Sequence, residues 1–258
     1  MAEPDAAFVE LAAALADAAG DAIRPYFRQK LAIDEKADLT PVTAADRAAE
    51  AAMRRLIEAR FPRHGVIGEE YGRDRDDAEF VWVLDPIDGT KSFISGVPLF
   101  GTLIALTRNG RPVLGVIDQP ISRERWIGAH GAPTTMNGRP VRTRSIGSLS
   151  AATLFATTPD MFKGRDAAAF VRAAAAAKLV RYGADCYAYG LVALGCIDAV
   201  VEAELKPYDF AAMVPIVEGA GGVATDWAGR SLDIRSDGRV AVAGDRSVHA
   251  ELLALLQG

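Results

Sequence analysis

Near the start of the chain, apolar residues recur at helical spacing. Phe8, Leu11, Leu15, Ile23 and Phe27 share one stripe, which predicts an amphipathic helix over roughly 5–29, bent near Pro25. Thr43-Ala44-Ala45-Asp46 has the spacing of a capping box. It predicts a second helix through Met53, Leu56 and Ile57 to about Arg60, stopped by Pro62. The pattern then changes period. Val66-Ile67 is a short strand running into Gly68-Glu69-Glu70, the charged residues 73–79 read as a solvated loop, and Phe80–Leu84 is a strand. Strands follow near 99–107, 112–118 and 124–129, with Asn109-Gly110 and Asn137-Gly138 marking tight turns.

The second half alternates. Strands are predicted at 152–157, 179–182, 197–202, 223–226 and 239–243. Helices are predicted at 167–178, 186–194, 209–220 and 245–256, with Gly221-Gly222 ending the third of these. Strand runs followed by strand-helix alternation imply a layered α/β or α+β fold. The simplest organisation is one unit over 1–258, with two lobes and a break near 145–152 as the variant reading.

Composition narrows the class. The chain has 258 residues, half of them apolar, enough for a sizeable core. A net charge of −5 with no basic patch argues against nucleic-acid and membrane-surface partners. Cys186 and Cys196 are too few for a disulfide framework. The Ala-rich stretch 5–19 is interrupted by Asp5, Glu10 and Asp17, unlike a signal peptide, and no apolar run reaches the roughly 20 residues of a membrane span. The expected location is cytoplasmic.

The chemistry concentrates in acidic residues at element boundaries: Glu69 after one strand, Asp85 and Asp88 after another, and Asp209 at a helix start. Clustered carboxylates repel one another unless a cation joins them. An oxygen-only set suits magnesium, and the absence of paired Cys/His spacing argues against structural zinc. Gly89-Thr90 stands directly before a helical segment, where backbone N–H groups can hold a phosphate. Each residue also has a plainer reading: Asp209 as an N-cap, Asp46 as a capping-box partner of Thr43, Glu69 as a surface carboxylate, and Asp85-Pro86-Ile87-Asp88-Gly89 as a turn. The turn reading leaves unexplained why that loop follows the most hydrophobic strand. His64, His130 and His249 read as structural or surface residues.

Gly68-Glu69-Glu70, Asp85-Pro86-Ile87-Asp88-Gly89-Thr90, Pro207-Tyr208-Asp209-Phe210-Ala211-Ala212 and Glu218-Gly219-Ala220-Gly221-Gly222 resemble, in order and spacing, the signature segments of the inositol monophosphatase-like superfamily. With the Lys36…Asp46 region the resemblance spans roughly residues 8–255. It implies a five-layered αβαβα sandwich, a magnesium-dependent phosphomonoesterase with two or three ions per site, and a homodimer. Carried over, Glu69, Asp85 and the carbonyl of Ile87 would bind one magnesium, and Asp85, Asp88 and Asp209 a second. A third, weaker ion would lean on Glu69. Gly89 and Thr90 would offer N–H groups to phosphate, and Thr90 paired with Asp46 would help deprotonate the attacking water beside Glu69. Lys36 matches a position near the phosphate, and equally suits a solvated loop.

Arg181-Tyr182-Gly183-Ala184-Asp185-Cys186-Tyr187-Ala188-Tyr189-Gly190 and Lys206-Pro207-Tyr208 before Asp209 look like the histidinol-phosphatase branch. That branch implies hydrolysis of L-histidinol phosphate, a step of histidine biosynthesis. Its substrate carries an ammonium group, which a carboxylate such as Asp185 or Glu202 can bind by a charge-assisted hydrogen bond. The plainer reading has Asp185 capping the helix that starts near Cys186, with Tyr187 and Tyr189 as core aromatics. Glu202, seven residues before Asp209, supports substrate contact without choosing the substrate. An inositol or other small-metabolite phosphatase is the alternative, and a non-catalytic phosphometabolite-binding protein a third reading.

Overall fold

The structure is a computed structural model that describes residues 5–29, 33–35 and 41–258, with backbone only for the segments 33–35 and 41–43. Helix α1 (Ala6–Ile23) stops where Pro25 removes a helical N–H, and a 3-10 turn over Arg24–Tyr26 completes the predicted bend. Strands β1 (Ile33–Glu35) and β2 (Pro41–Thr43) pair antiparallel, and helix α2 (Ala44–Arg60) follows. Then come β3 (Gly65–Gly68), β4 (Gly72–Asp74), β5 (Phe80–Asp88) and the short helix α3 (Thr90–Ile94). The meander continues with β6 (Gly101–Arg108), β7 (Arg111–Gln119), β8 (Glu124–Ala129), β9 (Thr135–Met136) and β10 (Arg139–Pro140). The second half holds β11 (Thr153–Ala156), α4 (Arg165–Ala176), β12 (Leu179–Tyr182), α5 (Tyr187–Ala193) and β13 (Ala199–Glu202). It ends with α6 (Pro207–Phe210), α7 (Met213–Gly219), β14 (Val223–Thr225), β15 (Val240–Ala243) and α8 (Arg246–Gln257).

Two large sheets organise these elements. One has eight strands in the order β10-β9-β8-β7-β6-β5-β3-β4, the other five in the order β12-β11-β13-β15-β14. Period-2 alternation along each strand sends side chains to both faces, and every face is apolar. Trp82, Leu84, Ile104 and Leu114 face α1 and α2, while Val81, Val83, Leu103 and Trp126 face α5 and α7. The second sheet repeats the pattern. Phe155, Val200 and Val242 face α5 and α7, while Leu154, Val201 and Ala241 face α4 and α8. The outcome is a five-layered αβαβα sandwich, and its central core draws residues from both halves of the chain.

Two segments depart from the sequence expectation. Part of the charged run 73–79 is strand β4, which pairs antiparallel with β3 through a tight turn at Gly68↔Gly72. The helix expected over 209–220 is two helices, α6 and α7, broken at Ala211-Ala212. Pro215 explains the break, because it cannot donate to the carbonyl of Ala211 and its ring crowds that carbonyl.

The central helices lie unusually close to the larger sheet. A Cβ added to Gly115 would fall 1.9 Å from the carbonyl oxygen of Ala212, and one added to Gly128 would fall 2.4 Å from the Cα of Ile216. The backbone of the α6–α7 break and of α7 therefore packs directly on β7 and β8. We predict that Gly128→Ala lowers stability by about 1–3 kcal/mol, the usual cost of overpacking where backbone cannot yield. Thermal unfolding checks this, and an unchanged melting temperature would refute the close packing.

Candidate metal centre

Strand β5 supplies the centre's first carboxylates. Its run Val81–Leu84 is buried on both faces and carries the chain straight to Asp85, 2% exposed. The register with β6 shifts between Asp85 and Asp88, so Pro86 and Ile87 bulge there, and Thr102 Oγ1 holds the bulge by donating to the Pro86 carbonyl at 2.8 Å. Ile87 buries its side chain completely, so its carbonyl is the group it has to offer. In this structure that carbonyl accepts the Thr90 hydroxyl at 3.1 Å.

Asp209 comes from the opposite direction. It occupies the first turn of α6, not its cap, which is Lys206. Its Oδ2 accepts the Lys206 backbone N–H at 2.6 Å. The plain capping role thus survives in part, yet Asp209 also joins a cluster. Asp85, Asp88 and Asp209 each offer a carboxylate oxygen, and these lie within 4.8 Å of one another. Glu69 follows β3, with its N–H on the Leu84 carbonyl at 3.2 Å, one residue from Asp85. Asp46 is buried in the first turn of α2. The Thr43 side chain, its expected capping partner, lies outside the described side chains, and Lys36 lies outside the described residues.

The electrostatics record this convergence. Burial pushes the Asp85 carboxyl well above the usual range, and the negative charges of Glu69, Asp88, Asp209 and Asp46 push it further. Asp88 is raised by desolvation, then by Asp185 and Asp209, against the opposing effect of Cys186. Asp209 is raised to about 7, first by burial and then by Glu69 and Glu202, with the Lys206 N–H opposing. Asp85 Oδ1 is buried without a hydrogen-bond partner among the described residues. A buried, unpartnered oxygen inside a like-charged, all-oxygen donor set fits a hard divalent cation.

A cavity of about 150 Å³ adjoins this cluster, lined by Asp88, Asp185, Cys186, Glu202, Asp209 and Thr157 among others. Asp185 does not cap α5, whose cap is Cys186. It adopts a left-handed φ of 44°, and its Oδ2 accepts the Ser92 hydroxyl at 2.7 Å. A Cβ on Gly89 would fall 2.7 Å from that same oxygen. Gly89 itself has φ +87° and caps the N-terminus of α3, so the loop needs glycine for its conformation and for the carboxylate lying over it. Burial raises the Asp185 carboxyl, with the Ser92 hydroxyl and Lys91 opposing. Glu202 is buried, and its two oxygens accept the Thr157 N–H at 2.9 Å and the Tyr189 hydroxyl at 2.6 Å.

Tyr187 lies apart from this lining. Its hydroxyl donates to Glu124 at 2.7 Å and its ring meets Trp126 edge-on at 5.5 Å, away from the cavity. Tyr189, two residues on, reaches the cavity lining through Glu202 instead. Sequence reasoning also missed Cys186, whose backbone N–H donates to Asp88 Oδ2 at 2.6 Å. A backbone donor leaves no mark in the residue type. The histidines keep to structural settings where contacts are seen: His64 stacks on Phe61 and accepts the Trp82 indole N–H, and His249 bonds Thr225.

Residues 5–258 match the profile described as the inositol monophosphatase family. The bifunctional phosphatase IMPL2, chloroplastic, of Arabidopsis thaliana is 49% identical over 97% of this chain and 75% of its own length. A histidinol-phosphatase of Chlorobaculum parvum is 40% identical over 96% of each chain. Among solved structures, an inositol monophosphatase from Zymomonas mobilis superposes with a TM-score of 0.91 at 49% identity, covering 99% of this chain and 100% of that one. With matching sequence, matching layers and an acidic cluster at the end of β5, this chain belongs to the inositol monophosphatase family.

Proposed function

We propose that this member of a phosphatase family hydrolyses L-histidinol phosphate to L-histidinol and phosphate, with magnesium held at the acidic cluster. The observation that carries the substrate reading is Asp185, whose carboxylate is fixed by Ser92 directly over Gly89 and lines the cavity. The ester's phosphate would meet the Gly89 and Thr90 N–H groups. Its ammonium would then lie within reach of a carboxylate already oriented by a neutral donor, the arrangement that makes charge-assisted hydrogen bonds strong. Glu202, on the same cavity, is a second acceptor for the leaving group. Relatives named histidinol-phosphatase, 40% and 38% identical, support the reading.

Asp85, Asp88, Asp209, Glu69 and the Ile87 carbonyl are the groups that would hold magnesium. When bound, the ions would neutralise phosphate charge and lower the pKa of water. The protein's own part is positional, as suits phosphoryl transfer through a loose transition state. Glu69 and the Thr90 hydroxyl would orient the attacking water. Thr90 Oγ1 can take that water's proton only if its own moves on, and Asp46, buried nearby on α2, is the carboxylate proposed to receive it. Because Thr90 donates to Ile87 in this structure, the relay requires its hydroxyl proton to rotate away from that carbonyl.

The second reading is an inositol-1-phosphate phosphatase. The 49%-identical Zymomonas mobilis structure is named an inositol monophosphatase, and Glu202 suits a hydroxyl as well as an ammonium. Phosphate release on L-histidinol phosphate and myo-inositol 1-phosphate, with magnesium and with EDTA, separates the two. We expect preference for histidinol phosphate, abolished by EDTA. In Asp185→Asn, kcat/KM on histidinol phosphate should fall about 10- to 100-fold, the worth of a hydrogen bond to a charged group. A variant that keeps its preference intact would sink the role given to Asp185.

The cluster also sets a pH dependence. Asp209 titrates near 7 in the folded chain, against about 3.9 for an unfolded aspartate. Between those values the unfolded state binds fewer protons, so the metal-free protein must lose stability as pH rises from about 4 towards 7. Melting temperatures in EDTA should fall across that window, and saturating magnesium should flatten the slope. Asp85→Asn should abolish magnesium-dependent turnover while raising the melting temperature of the metal-free protein near pH 7, because it removes a repelling buried charge. A lowered melting temperature would contradict the repulsion argument.

A further inference from the structure

Helix α2 carries a second buried carboxylate one turn after Asp46. Glu50 is completely buried, and its carboxylate meets the turn between β3 and β4. Its Oε2 accepts the Glu70 N–H at 2.7 Å, and its Oε1 accepts the Tyr71 N–H at 3.2 Å and Arg54 Nε at 2.7 Å. The fit leaves no slack, since a Cβ added to Gly68 would fall 1.9 Å from Glu50 Oε1. The residue between Gly68 and Glu70 is Glu69. Its backbone is therefore held from two sides, by the Leu84 carbonyl next to Asp85 and by α2 through Glu50.

We propose that Glu50 is a positioning residue for the metal centre, one that fixes the Gly68–Tyr71 turn and so sets Glu69 against Asp85. The inference rests on the reading of Glu69 and Asp85 as ligands. Three physical points carry it. A buried carboxylate is costly unless its oxygens are satisfied, and here each oxygen has at least one donor. The two N–H groups it satisfies belong to the tight turn between β3 and β4, outside the ladder of either strand. Asp46 and Glu50, four residues apart on one helix face, tie the proposed proton acceptor and the Glu69 turn to a single rigid element.

The test is Mn²⁺ binding to metal-free protein, followed by electron paramagnetic resonance, on wild type, Glu50→Gln, Glu50→Asp and Met53→Ala. Gln replaces one acceptor with a donor facing N–H groups, and Asp retracts the carboxylate by a methylene. Groups that orient metal ligands are typically worth 10–100-fold in affinity. Both Glu50 variants should therefore weaken the Mn²⁺ Kd by about tenfold or more, and raise the half-saturating magnesium concentration alike. KM for the ester at saturating magnesium should stay within about twofold. Met53→Ala cuts a cavity into the same helix, so it should lower the melting temperature while leaving the Mn²⁺ Kd within about twofold. A folded Glu50→Asp or Glu50→Gln protein with wild-type Mn²⁺ affinity would overturn the proposal. So would a Met53→Ala affinity loss as large as theirs, which would reduce the effect to general loosening of α2. Wild type that binds no Mn²⁺ would overturn the metal reading along with it. Wild type that binds Mn²⁺ but releases phosphate from no ester would overturn the proposed reaction alone, with Glu50 still judged by the Kd values.

Discussion

Mutual repulsion among carboxylates at the end of β5 is the constraint around which this molecule is arranged. Asp85, Asp88 and Asp209 offer oxygens within 4.8 Å of one another, and one oxygen of Asp85 is buried without a partner. A cluster of that kind has two ways to exist. It can take up protons, which is what the raised Asp209 titration near 7 expresses, or it can hold a cation. Without the cation the clustering costs folding free energy, and proteins have only about 5–15 kcal/mol in hand. The rest of the fold must therefore be stiff enough to keep the carboxylates together, and its three apolar cores provide that stiffness.

The manner in which the carboxylates are held is as informative as their clustering. Asp209 is held by the Lys206 N–H, Asp88 by the Cys186 N–H, Asp185 by the Ser92 hydroxyl, and Glu202 by the Thr157 N–H and the Tyr189 hydroxyl. All of these donors are neutral. Neutral donors orient a carboxylate without cancelling its charge, so the cluster keeps its field for a cation. Glu50, which lies outside the cluster, is by contrast paired with Arg54. Charge is thus neutralised where it serves architecture and left standing where it serves chemistry.

Much of the architecture was legible beforehand. Helical spacing from Phe8 to Phe27 and from Asp46 to Ile57 gave α1 and α2, and the Asn-Gly pairs gave the turns after β6 and β9. The failures have local causes. Pro215 was absorbed into a continuous apolar helix pattern although it breaks that helix four residues upstream. Strand β4 was hidden because an exposed edge strand bears the same charged residues as a loop. Tyr187 and Tyr189 stand two apart on α5 and so point about 200° apart. Only one could reach the cavity, and the choice was made by Trp126, a residue of β8.

The sequence by itself determined the kind of chemistry available. Acidic residues at strand and helix ends, Gly89-Thr90 before a helical turn, and an apolar β5 already point to an oxygen-donor, anion-handling site, because that depends on residue type and spacing along the chain. Which carboxylates share one centre, which backbone N–H groups orient them, and how Asp185 comes to lie over Gly89 were decided only in three dimensions. Those relations join residues more than a hundred positions apart through packing of two sheets. They also depend on backbone donors, which every residue type carries alike, so they leave no signature in the order of side chains.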